Sequence, residues 1–542
     1  MPPVLVFDRE HCLACRACEL ACSVAHSASG ELEAAIAEEF PPKRRVVVAD
    51  GSDGVEALRC DQCLEPLCAF ACKSGALRRD PATGRVTLND ALCVSCYMCL
   101  MVCPSGIRPD PARDRVVRCD VCGDRTTPAC VDACPTGALS AHTPRDERVR
   151  SDFRGHVVVV GSSAAGIAAC EAAREHAPGR SITLVTADTS PYSRPLLSYA
   201  LAGRLRSDQI DWRGASYLEH ELGVHLMGGH KAARLDAGVG ALVLDDGEEL
   251  GFERLILATG ARAAGLAIPG ASLAGVFALR NLEDLEAVGQ ALSPAKHAVV
   301  LGGGNVGLQA CEAFLARGLR VTVVVASPHL LSQMVDAEAG RRLADLFRAH
   351  GVDIRTGRDA VEVVGNGRVE GVRLDNGELL AADLVLVAKG IVPNVEWLRG
   401  SGIQIGRGIS VDLSGCTNLP SIFAAGDCAE APDPLTGRLA LSGIWPVAYE
   451  MGRAAGSTAV GVERASGGAL RMNASRFFGE SIVSVGEVRQ ERLAGARAEI
   501  PINRDGAYRK LVYRDGRLAG ALLYGDITGA GTYYRQYREG RA

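Results

Sequence analysis

The sequence predicts three kinds of domain: a cysteine-rich α+β domain, an α/β region with two dinucleotide-binding folds, and a small α+β cap. Of the 542 residues, 47% are hydrophobic and 23% are charged, as in folded globular chains. Sixteen of the 20 cysteines precede residue 135. After residue 155, apolar strands alternate with helices rich in small residues, which is typical of parallel sheets with crossover helices.

The boundaries follow the changes in composition. In chain order we expect 1–150 for the cysteine-rich domain, 151–270 with 396–463 for the first dinucleotide-binding domain, 271–395 for the second, and 464–542 for the cap. The polar segment Thr143–Asp152 is a candidate linker. In the cap, Asp515-Gly516 between two apolar runs predicts a hairpin.

Charge and hydropathy exclude several classes of protein. The formal net charge is -5, which argues against a nucleic-acid binder that relies on a positive surface. The N-terminus carries no basic leader followed by an apolar stretch, and no apolar run is long enough to span a bilayer. We therefore expect a cytoplasmic protein, and in that reducing compartment clustered cysteines bind metal more often than they form disulfides.

The first sixteen cysteines fall into four groups in which three residues always separate the third cysteine from the fourth. The groups are Cys12, Cys15, Cys18 and Cys22; Cys60, Cys63, Cys68 and Cys72; Cys93, Cys96, Cys99 and Cys103; and Cys119, Cys122, Cys130 and Cys134. Three closely spaced thiolates can bind three irons of one cubane, while the fourth binds a different cluster. The pattern predicts four [4Fe-4S] clusters. A structural zinc site is the alternative, but a site built from C-x2-C pairs does not explain the spacing of the third and fourth cysteines.

The four-group pattern resembles the polyferredoxin iron-sulfur subunits that serve carbon monoxide dehydrogenase and tungsten aldehyde oxidoreductases. The resemblance implies a ferredoxin-like fold in which the outer groups share clusters, as do the inner groups. The implied sets are Cys12, Cys15, Cys18 with Cys134; Cys119, Cys122, Cys130 with Cys22; Cys60, Cys63, Cys68 with Cys103; and Cys93, Cys96, Cys99 with Cys72. The basic residues that could offset the negative charge of the clusters are Arg59, Lys73, Arg78, Arg79 and Arg118.

The first α/β domain opens with a dinucleotide fingerprint. The apolar strand Val157–Val160 is followed by a loop whose key positions are Gly161, Ser163, Ala165 and Gly166, with Ser163 replacing the usual middle glycine. Such a loop directs backbone N–H groups and a helix N-terminus at a pyrophosphate. Asp188, after the second strand, is placed to hold a ribose hydroxyl.

Four further segments resemble the FAD-dependent pyridine nucleotide-disulfide oxidoreductase superfamily. They are Leu255–Gly260, Ser421–Asp427, Pro191–Ser198 and Trp445–Ala448, and the last two are similar to the flavin modules of ferredoxin, rubredoxin and nitrite reductases. The resemblance covers about residues 155–530 and implies bound FAD. Its further FAD contacts would be Arg194, Thr259, Gly260, Asp427 and Trp445, with Asp427 at the ribityl chain.

The second α/β domain carries a complete G-x-G-x-x-G loop. The expected NAD(P) contacts are Gly302, Gly304, Asn305, Val306, Gly307 and Gln309. The next strand ends in Val325 where NADH enzymes usually have an acid, and no arginine cluster follows for a 2′-phosphate. NADH is favoured and NADPH stays open. Gln309 stands where relatives usually have a glutamate that faces the nicotinamide.

No cysteine lies between Cys170 and Cys311, the stretch in which the superfamily's disulfide reductases carry a reactive cysteine. No catalytic side chain is expected, because hydride passes directly between nicotinamide and flavin, with Gln309 as a candidate neighbour of the nicotinamide. Cys170 and Cys311 should be buried packing residues.

A flavin can exchange electron pairs with nicotinamide and single electrons with clusters. We therefore expect an NAD(P)H oxidoreductase subunit that exchanges electrons with a partner enzyme, such as carbon monoxide dehydrogenase or a tungsten aldehyde oxidoreductase. A stand-alone NAD(P)H:ferredoxin or rubredoxin reductase and a non-catalytic wiring subunit are the alternatives. The cap is a candidate for pairing of subunits.

Overall fold

The computed structural model describes residues 3–40, 42–51, 54–104, 106–123, 125–143 and 150–540. Most of the expected linker, 144–149, lies outside these residues. The described chain forms two compact units. The first combines the residues before 149 with Ile527–Gly540, and the second contains the residues from 150 to Asp526.

The first unit consists of short antiparallel strand pairs joined by short helices. The pairs are Val4–Phe7 with Leu139–His142, Val47–Gly51 with Gly54–Leu58, Leu77–Arg79 with Val86–Leu88, and Ile107–Asp110 with Arg115–Arg118. The helices are Ala17–Ala25, Leu32–Ile36, Leu67–Phe70, Met98–Val102, Ala129–Asp132 and Ala530–Glu539, with 3₁₀ turns at Asp90–Leu92 and Pro111–Arg113. Each cysteine group contributes its third cysteine to one of these helices: Cys18, Cys68, Cys99 and Cys130.

The C-terminal helix Ala530–Glu539 belongs to this first unit rather than to the cap in which 464–542 were expected. The absent side chain of Gly531 explains the packing. A Cβ atom there would overlap the Cys103 carbonyl oxygen and lie 3.0 Å from the carbonyl oxygen of Leu100. Glycine thus lets the helix lie directly against Met98–Val102.

The second unit contains two five-stranded parallel sheets, as the alternating pattern predicts. The strand order of the first is His225–Gly228, Ile182–Thr186, Val157–Val160, Arg254–Leu257 and Ile422–Ala424. The order of the second is Val276–Phe277, Leu384–Val387, His297–Leu301, Arg320–Val325 and Val352–Thr356. Val157–Val160 of the first sheet and Leu384–Val387 of the second are buried along their whole length, which explains their continuous apolar sequence.

Smaller sheets flank these two. They are Ala232–Asp236, Ala241–Leu244 and Glu249–Gly251; Ala360–Gly365, Val369–Leu374 and Leu379–Ala381; Ala261–Ala263 with Ile391–Pro393; and Ile409–Ser410, Ala429–Pro432 and Leu439–Leu441. The helices of the unit are Ala164–His176, Leu197–Leu201, Leu282–Leu292, Asn305–Ala316, Ala337–Ala349 and Trp445–Ala459. Shorter helical turns are Arg194–Leu196, Ser207–Ile210, Tyr217–Glu221, Glu396–Leu398, Gly426–Cys428 and Gln490–Arg492.

Two helices that frame the first dinucleotide site pack unusually closely. Gly452 and Gly456 of helix Trp445–Ala459 face Ala165 and Ala169 of the helix after the first glycine loop. A Cβ atom at either glycine would overlap the carbonyl oxygen of the facing alanine. The small residues therefore fix where the Trp445 end of the helix lies.

The cap is a five-stranded antiparallel sheet. Its order is Met472–Phe477, Glu480–Gly486, Arg517–Tyr524, Ala507–Arg514 and Arg497–Arg504. The expected hairpin is confirmed, and Asp515 and Gly516 both have positive φ angles, 52° and 76°. Among the described residues, no helix is both long enough and apolar enough to cross a bilayer.

Candidate functional site

The cysteines of the first unit gather into sets that mix the groups of the sequence. One pocket is lined by Cys12, Cys15, Cys18 and Cys134, and another by Cys72, Cys93, Cys96 and Cys99. Each set takes three cysteines from one group and the fourth cysteine of another. These are two of the sets that the polyferredoxin resemblance implies.

The remaining cysteines are also close neighbours, since the charge of one thiolate raises the pKa of the next. Burial, followed by the neighbouring Cys22 and Cys122, raises the pKa of Cys130 to about 12. Burial also raises the pKa of Cys68, and Cys103 and Cys60 add to the rise while Arg118 opposes it. The other two implied sets, Cys119, Cys122 and Cys130 with Cys22 and Cys60, Cys63 and Cys68 with Cys103, are thus also grouped in space. Binding of a metal would favour the deprotonated form of these thiols.

The backbone repeats one uncommon conformation in all four groups. The residue just before the second cysteine has a positive φ each time: Ala14 at 52°, Gln62 at 45°, Ser95 at 48° and Val121 at 58°. None is glycine, and positive φ is uncommon for other residue types, above all for a β-branched valine. Four unrelated residues sharing this conformation indicate four copies of the same ligand loop.

The donor set suits iron-sulfur clusters. All twenty cysteines are free thiols in the structure, so no described cysteine is used in a disulfide. Backbone N–H groups also reach the sulfurs: Arg45 donates to Cys22 over 3.2 Å and Leu77 to Cys72 over 3.3 Å. Such N–H···S contacts are a general means of stabilising a cluster's negative charge.

The first glycine loop has the geometry of a dinucleotide cradle. Gly161 has φ 109°, and a Cβ atom there would overlap the Ala258 carbonyl oxygen. A Cβ atom at Gly166 would overlap the carbonyl oxygen of Gly161. Ser163, in contrast, is extended at φ -97° and caps helix Ala164–His176, so a side chain fits. This explains why serine is tolerated at the middle position.

Arg194 and Asp188, two of the expected FAD-binding residues, form an ion pair with each other. Arg194 donates from Nη2 to Asp188 Oδ2 over 2.7 Å and from Nη1 to the Tyr192 hydroxyl over 2.7 Å. Burial raises the pKa of Asp188, although Arg194 opposes the change. Asp188 lies two residues beyond strand Ile182–Thr186, at the edge of the sheet where nucleotides bind in such folds.

A second ion pair lies at Asp427, where Arg280 Nη2 is 2.8 Å from Oδ2. Arg280 is not among the site residues expected from the sequence, because it follows no fingerprint. Its carbonyl oxygen also accepts a hydrogen bond from Arg194 over 3.2 Å. Arg280 therefore connects the two expected FAD carboxylates.

Orphaned polar groups mark the same region. The Trp445 indole Nε1 and the Ser193 hydroxyl are buried and have no hydrogen-bond partner among the described residues. Buried polar groups are rarely left unpaired, so these two fit a polar ligand. Nearby, Gly260 has φ 65°, and Thr259 exchanges two 2.9 Å hydrogen bonds with Asn394. The residues present thus fit FAD.

The second glycine loop repeats the cradle. Gly302 has φ 125°, and a Cβ atom there would overlap the Ala388 carbonyl oxygen, while one at Gly307 would overlap the Gly302 carbonyl oxygen. Gly304 caps helix Asn305–Ala316, and Val306 is 46% exposed. Asn305 is held by the cap, because its side chain bonds Asn473 over 2.9 Å and Ser475 over 2.9 Å.

Gln309 is oriented by the first domain. The Ser198 hydroxyl donates to Gln309 Oε1 over 2.8 Å, which leaves the amide NH₂ to other partners. Val325 is buried against the loop, 2.8 Å from where a Cβ atom of Gly303 would lie. Cys170 and Cys311 are fully buried, as expected.

Comparison with known proteins assigns families to each region. The pyridine nucleotide-disulphide oxidoreductase family matches residues 155–452, a 4Fe-4S dicluster domain matches 55–143, and the rubredoxin NAD+ reductase C-terminal domain matches 472–539. The matches confirm the expected fusion of a 4Fe-4S domain with a flavin- and nicotinamide-dependent oxidoreductase module.

Two curated relatives extend this result. The nitrite reductase [NAD(P)H] of Bacillus subtilis is 32% identical over 68% of this chain, which spans 45% of that protein's length. The NADH-dependent phenylglyoxylate dehydrogenase subunit epsilon of Aromatoleum evansii is 34% identical over 61% of this chain and 78% of its own.

Among solved structures, the NAD-dependent persulfide reductase from A. fulgidus has a TM-score of 0.67 and 26% identity, covering 71% of this chain and 77% of its own. Fold, sequence and site geometry agree. The chain belongs to the pyridine nucleotide-disulphide oxidoreductase family.

Proposed function

We propose that the chain exchanges electrons between NAD(P) and a separate redox protein through FAD and four [4Fe-4S] clusters. The repeated positive φ before Cys15, Cys63, Cys96 and Cys122 is the observation that carries the cluster count. The dicluster family covers residues 55–143 only. The first group therefore rests on its own spacing and backbone.

The ligand sets follow from the same grouping of thiols. Each cluster takes three cysteines of one group and the fourth cysteine of another, as implied for polyferredoxins. The expected domain boundaries are proposed with them, except that the C-terminal helix is assigned to the cluster unit.

The residues of the second unit bind and orient the two nucleotides. Gly161 and Gly302 let the backbone approach a pyrophosphate, and Asp188 and Asp427 accept hydrogen bonds from hydroxyl groups of the FAD ribose and ribityl chain. Bound flavin supplies the conversion between electron pairs and single electrons. The Gln309 amide does not ionise and so cannot act as an acid or a base; it contributes hydrogen bonds alone.

Arg280 has a double role in this proposal. Its guanidinium balances the charge of Asp427, and its carbonyl oxygen helps to hold Arg194, which pairs with Asp188. Trp445 and Ser193 supply donors that have no other described partner. NADH is proposed as the preferred nicotinamide, since no basic cluster follows Val325.

The electron partner is proposed to be a catalytic subunit of a dehydrogenase. A relative at 34% identity is named as a subunit of a phenylglyoxylate dehydrogenase, which favours a multisubunit complex. Carbon monoxide dehydrogenase and tungsten aldehyde oxidoreductase are further partners of this class. The match of 472–539 to a rubredoxin reductase domain favours a second candidate, a stand-alone reductase of a small carrier protein.

NADH-dependent viologen reduction under anaerobic conditions tests the proposal. The wild-type chain should reduce viologen, and Gly302→Ala, which disturbs the nicotinamide loop, should lose this activity while keeping its iron. Cys96→Ser should lose iron and retain bleaching of the flavin by NADH. A wild-type chain that binds FAD and NADH but never passes electrons to viologen would contradict the function. Stable co-purification with a dehydrogenase would favour the role as a subunit of a dehydrogenase complex. Turnover with rubredoxin alone would favour the stand-alone reductase.

A further inference from the structure

We propose that Arg118 raises the reduction potential of the cluster bound by Cys60, Cys63, Cys68 and Cys103. The inference rests on the proposed function, since it requires that cluster. It concerns a tuning residue that the spacing of the cysteines does not reveal.

The side chain of Arg118 is buried against a ligand sulfur. Only 3% of the residue is exposed, and Nη2 lies 3.1 Å from Cys60 Sγ. Nη1 donates to the carbonyl oxygen of Val86, which holds the guanidinium in place. Nε is buried and has no partner among the described residues. A buried guanidinium with a spare N–H group beside the thiols of Cys60, Cys68 and Cys119 is arranged to meet a negative ligand.

A second contact crosses between the same two loops. Gln62, which lies between Cys60 and Cys63, donates from Nε2 to the Cys119 carbonyl oxygen over 3.1 Å. Arg118 precedes Cys119 in the chain and reaches back to Cys60. The loops of the second and fourth groups are therefore joined by a reciprocal pair of hydrogen bonds. Arg118 thus lies where one cluster set meets the next.

The sign of the effect follows from charge. Reduction adds one negative charge to a cluster, and hydrogen bonds to its sulfurs together with nearby positive charge favour the reduced form. A buried cation acts through a lower effective dielectric than a solvated one, so its influence is greater. By comparison, the described sulfur contacts of Cys72 come from the Leu77 N–H and the Ser74 hydroxyl, which are neutral.

Arg59 provides a matched control. It precedes Cys60 as Arg118 precedes Cys119, so removing it deletes the same charge close to the same ligand. Its side chain, however, is 22% exposed and donates to the carbonyl oxygens of Leu5 and Ala57 rather than to sulfur. Arg59 is also paired with Asp61 over 3.6 Å, so a difference between the two variants reports the buried, sulfur-bound position of Arg118 against a partly exposed, carboxylate-paired one.

The experiment is a redox titration of the anaerobically purified full chain, followed by electron paramagnetic resonance and by iron and sulfide analysis. In Arg118→Gln, one cluster should become at least tenfold harder to reduce, which is about 59 mV for a single electron. Arg118→Lys keeps the charge and should recover part of the shift. Arg59→Gln should shift the same cluster much less.

The outcomes separate this inference from the proposed function. A wild-type chain lacking the iron for four clusters would refute the proposed function first. Full iron with unchanged potentials in Arg118→Gln, or equal shifts in the Arg118 and Arg59 variants, would overturn the tuning role alone. Loss of iron from both the Gln and the Lys variants would overturn it as well, in favour of a purely structural role.

Discussion

Replacing Gly452 by alanine should weaken the FAD site through helix packing alone. Gly452 belongs to helix Trp445–Ala459, and its α-carbon faces Ala165 on the helix that follows the first glycine loop. A Cβ atom there would lie 2.7 Å from the carbonyl carbon of Ala165 and 2.8 Å from its Cα. Carbon atoms in ordinary contact are about 3.5–4.0 Å apart, so the helices would have to separate by roughly 1 Å.

The expected cost can be set against the gain from alanine. Overpacking of this kind costs about 1–3 kcal/mol in the free energy of unfolding. Because the added Cβ atom would also overlap the Ala165 carbonyl oxygen, we expect a cost near the upper end of this range. Alanine in a helix interior returns about 1 kcal/mol relative to glycine. We expect a net loss of about 2 kcal/mol in the free energy of unfolding, together with displacement of Trp445 at the start of the helix.

The assay is thermal release of flavin, measured by its fluorescence, alongside loss of helical circular dichroism. Gly289→Ala is the control, because Gly289 is exposed in helix Leu282–Leu292 and an added Cβ atom meets nothing within 4 Å. That variant should be stabilised by about 0.5–1 kcal/mol. If Gly452→Ala and Gly289→Ala both raise the temperature of flavin release, close helix packing does not hold the FAD site, and the reasoning fails.

Three further predictions concern single side chains. In Glu487→Gln, the buried Arg489 loses its carboxylate partner at 2.7 Å, and we expect a loss of about 3–5 kcal/mol in unfolding free energy, measured by thermal denaturation at neutral pH. Burial alone would raise the pKa of Glu487, but hydrogen bonds from Arg489 hold it below its ordinary value of 4.5. This stabilisation is therefore complete above pH 4.5 and declines as the pH falls through the lower folded pKa, so the gap between wild type and variant should narrow in acid; a constant gap would contradict the pairing. Ser198→Ala removes the neutral hydrogen bond to Gln309, worth about 1 kcal/mol, so half-saturation of flavin bleaching should need about fivefold more NADH, whereas Ser198→Thr should resemble wild type. Gly161→Ala should abolish FAD binding, measured as flavin absorbance per chain, because its φ of 109° and the facing carbonyl exclude a side chain; full flavin content would refute the cradle.

The fold of the second unit could be predicted from the sequence because its determinants are local. Continuous apolar runs such as Val157–Val160 specify buried parallel strands, and glycine loops specify where nucleotides approach the sheet. The hairpin at Asp515-Gly516 could be predicted in the same way, since few pairs of residues readily adopt two consecutive positive φ angles. These features depend on chain geometry within a few residues.

The spatial partners of charged residues could not be predicted in the same way. Arg280 lies far from Asp427 in the sequence, and only the folded chain brings them to 2.8 Å. Arg118 was one of five basic candidates near the cysteines, and spacing could not indicate that its guanidinium turns inward to Cys60. Long side chains can reach in many directions, so their contacts are decided by tertiary packing.

The C-terminal helix shows a further limit of sequence patterns. The sequence pattern of 464–542 predicts a single cap domain, yet helix Ala530–Glu539 packs on Met98–Val102 in the first unit. The determinant is Gly531, whose missing side chain permits the contact with Cys103. A single glycine in a short helix carries no signal of its distant partner. Ser163 is the opposite case, because its extended backbone explains in retrospect a departure from the fingerprint.

An anaerobic NADH titration of the isolated chain, with known iron, sulfide and flavin content, tests whether FAD and four clusters exchange electrons within one chain. We expect about sixteen irons per flavin, bleaching of the flavin by NADH, and the appearance of paramagnetic reduced clusters as more NADH is added. Zinc in place of iron, or flavin that bleaches while the clusters stay oxidised even in the presence of excess NADH and viologen, would contradict this expectation.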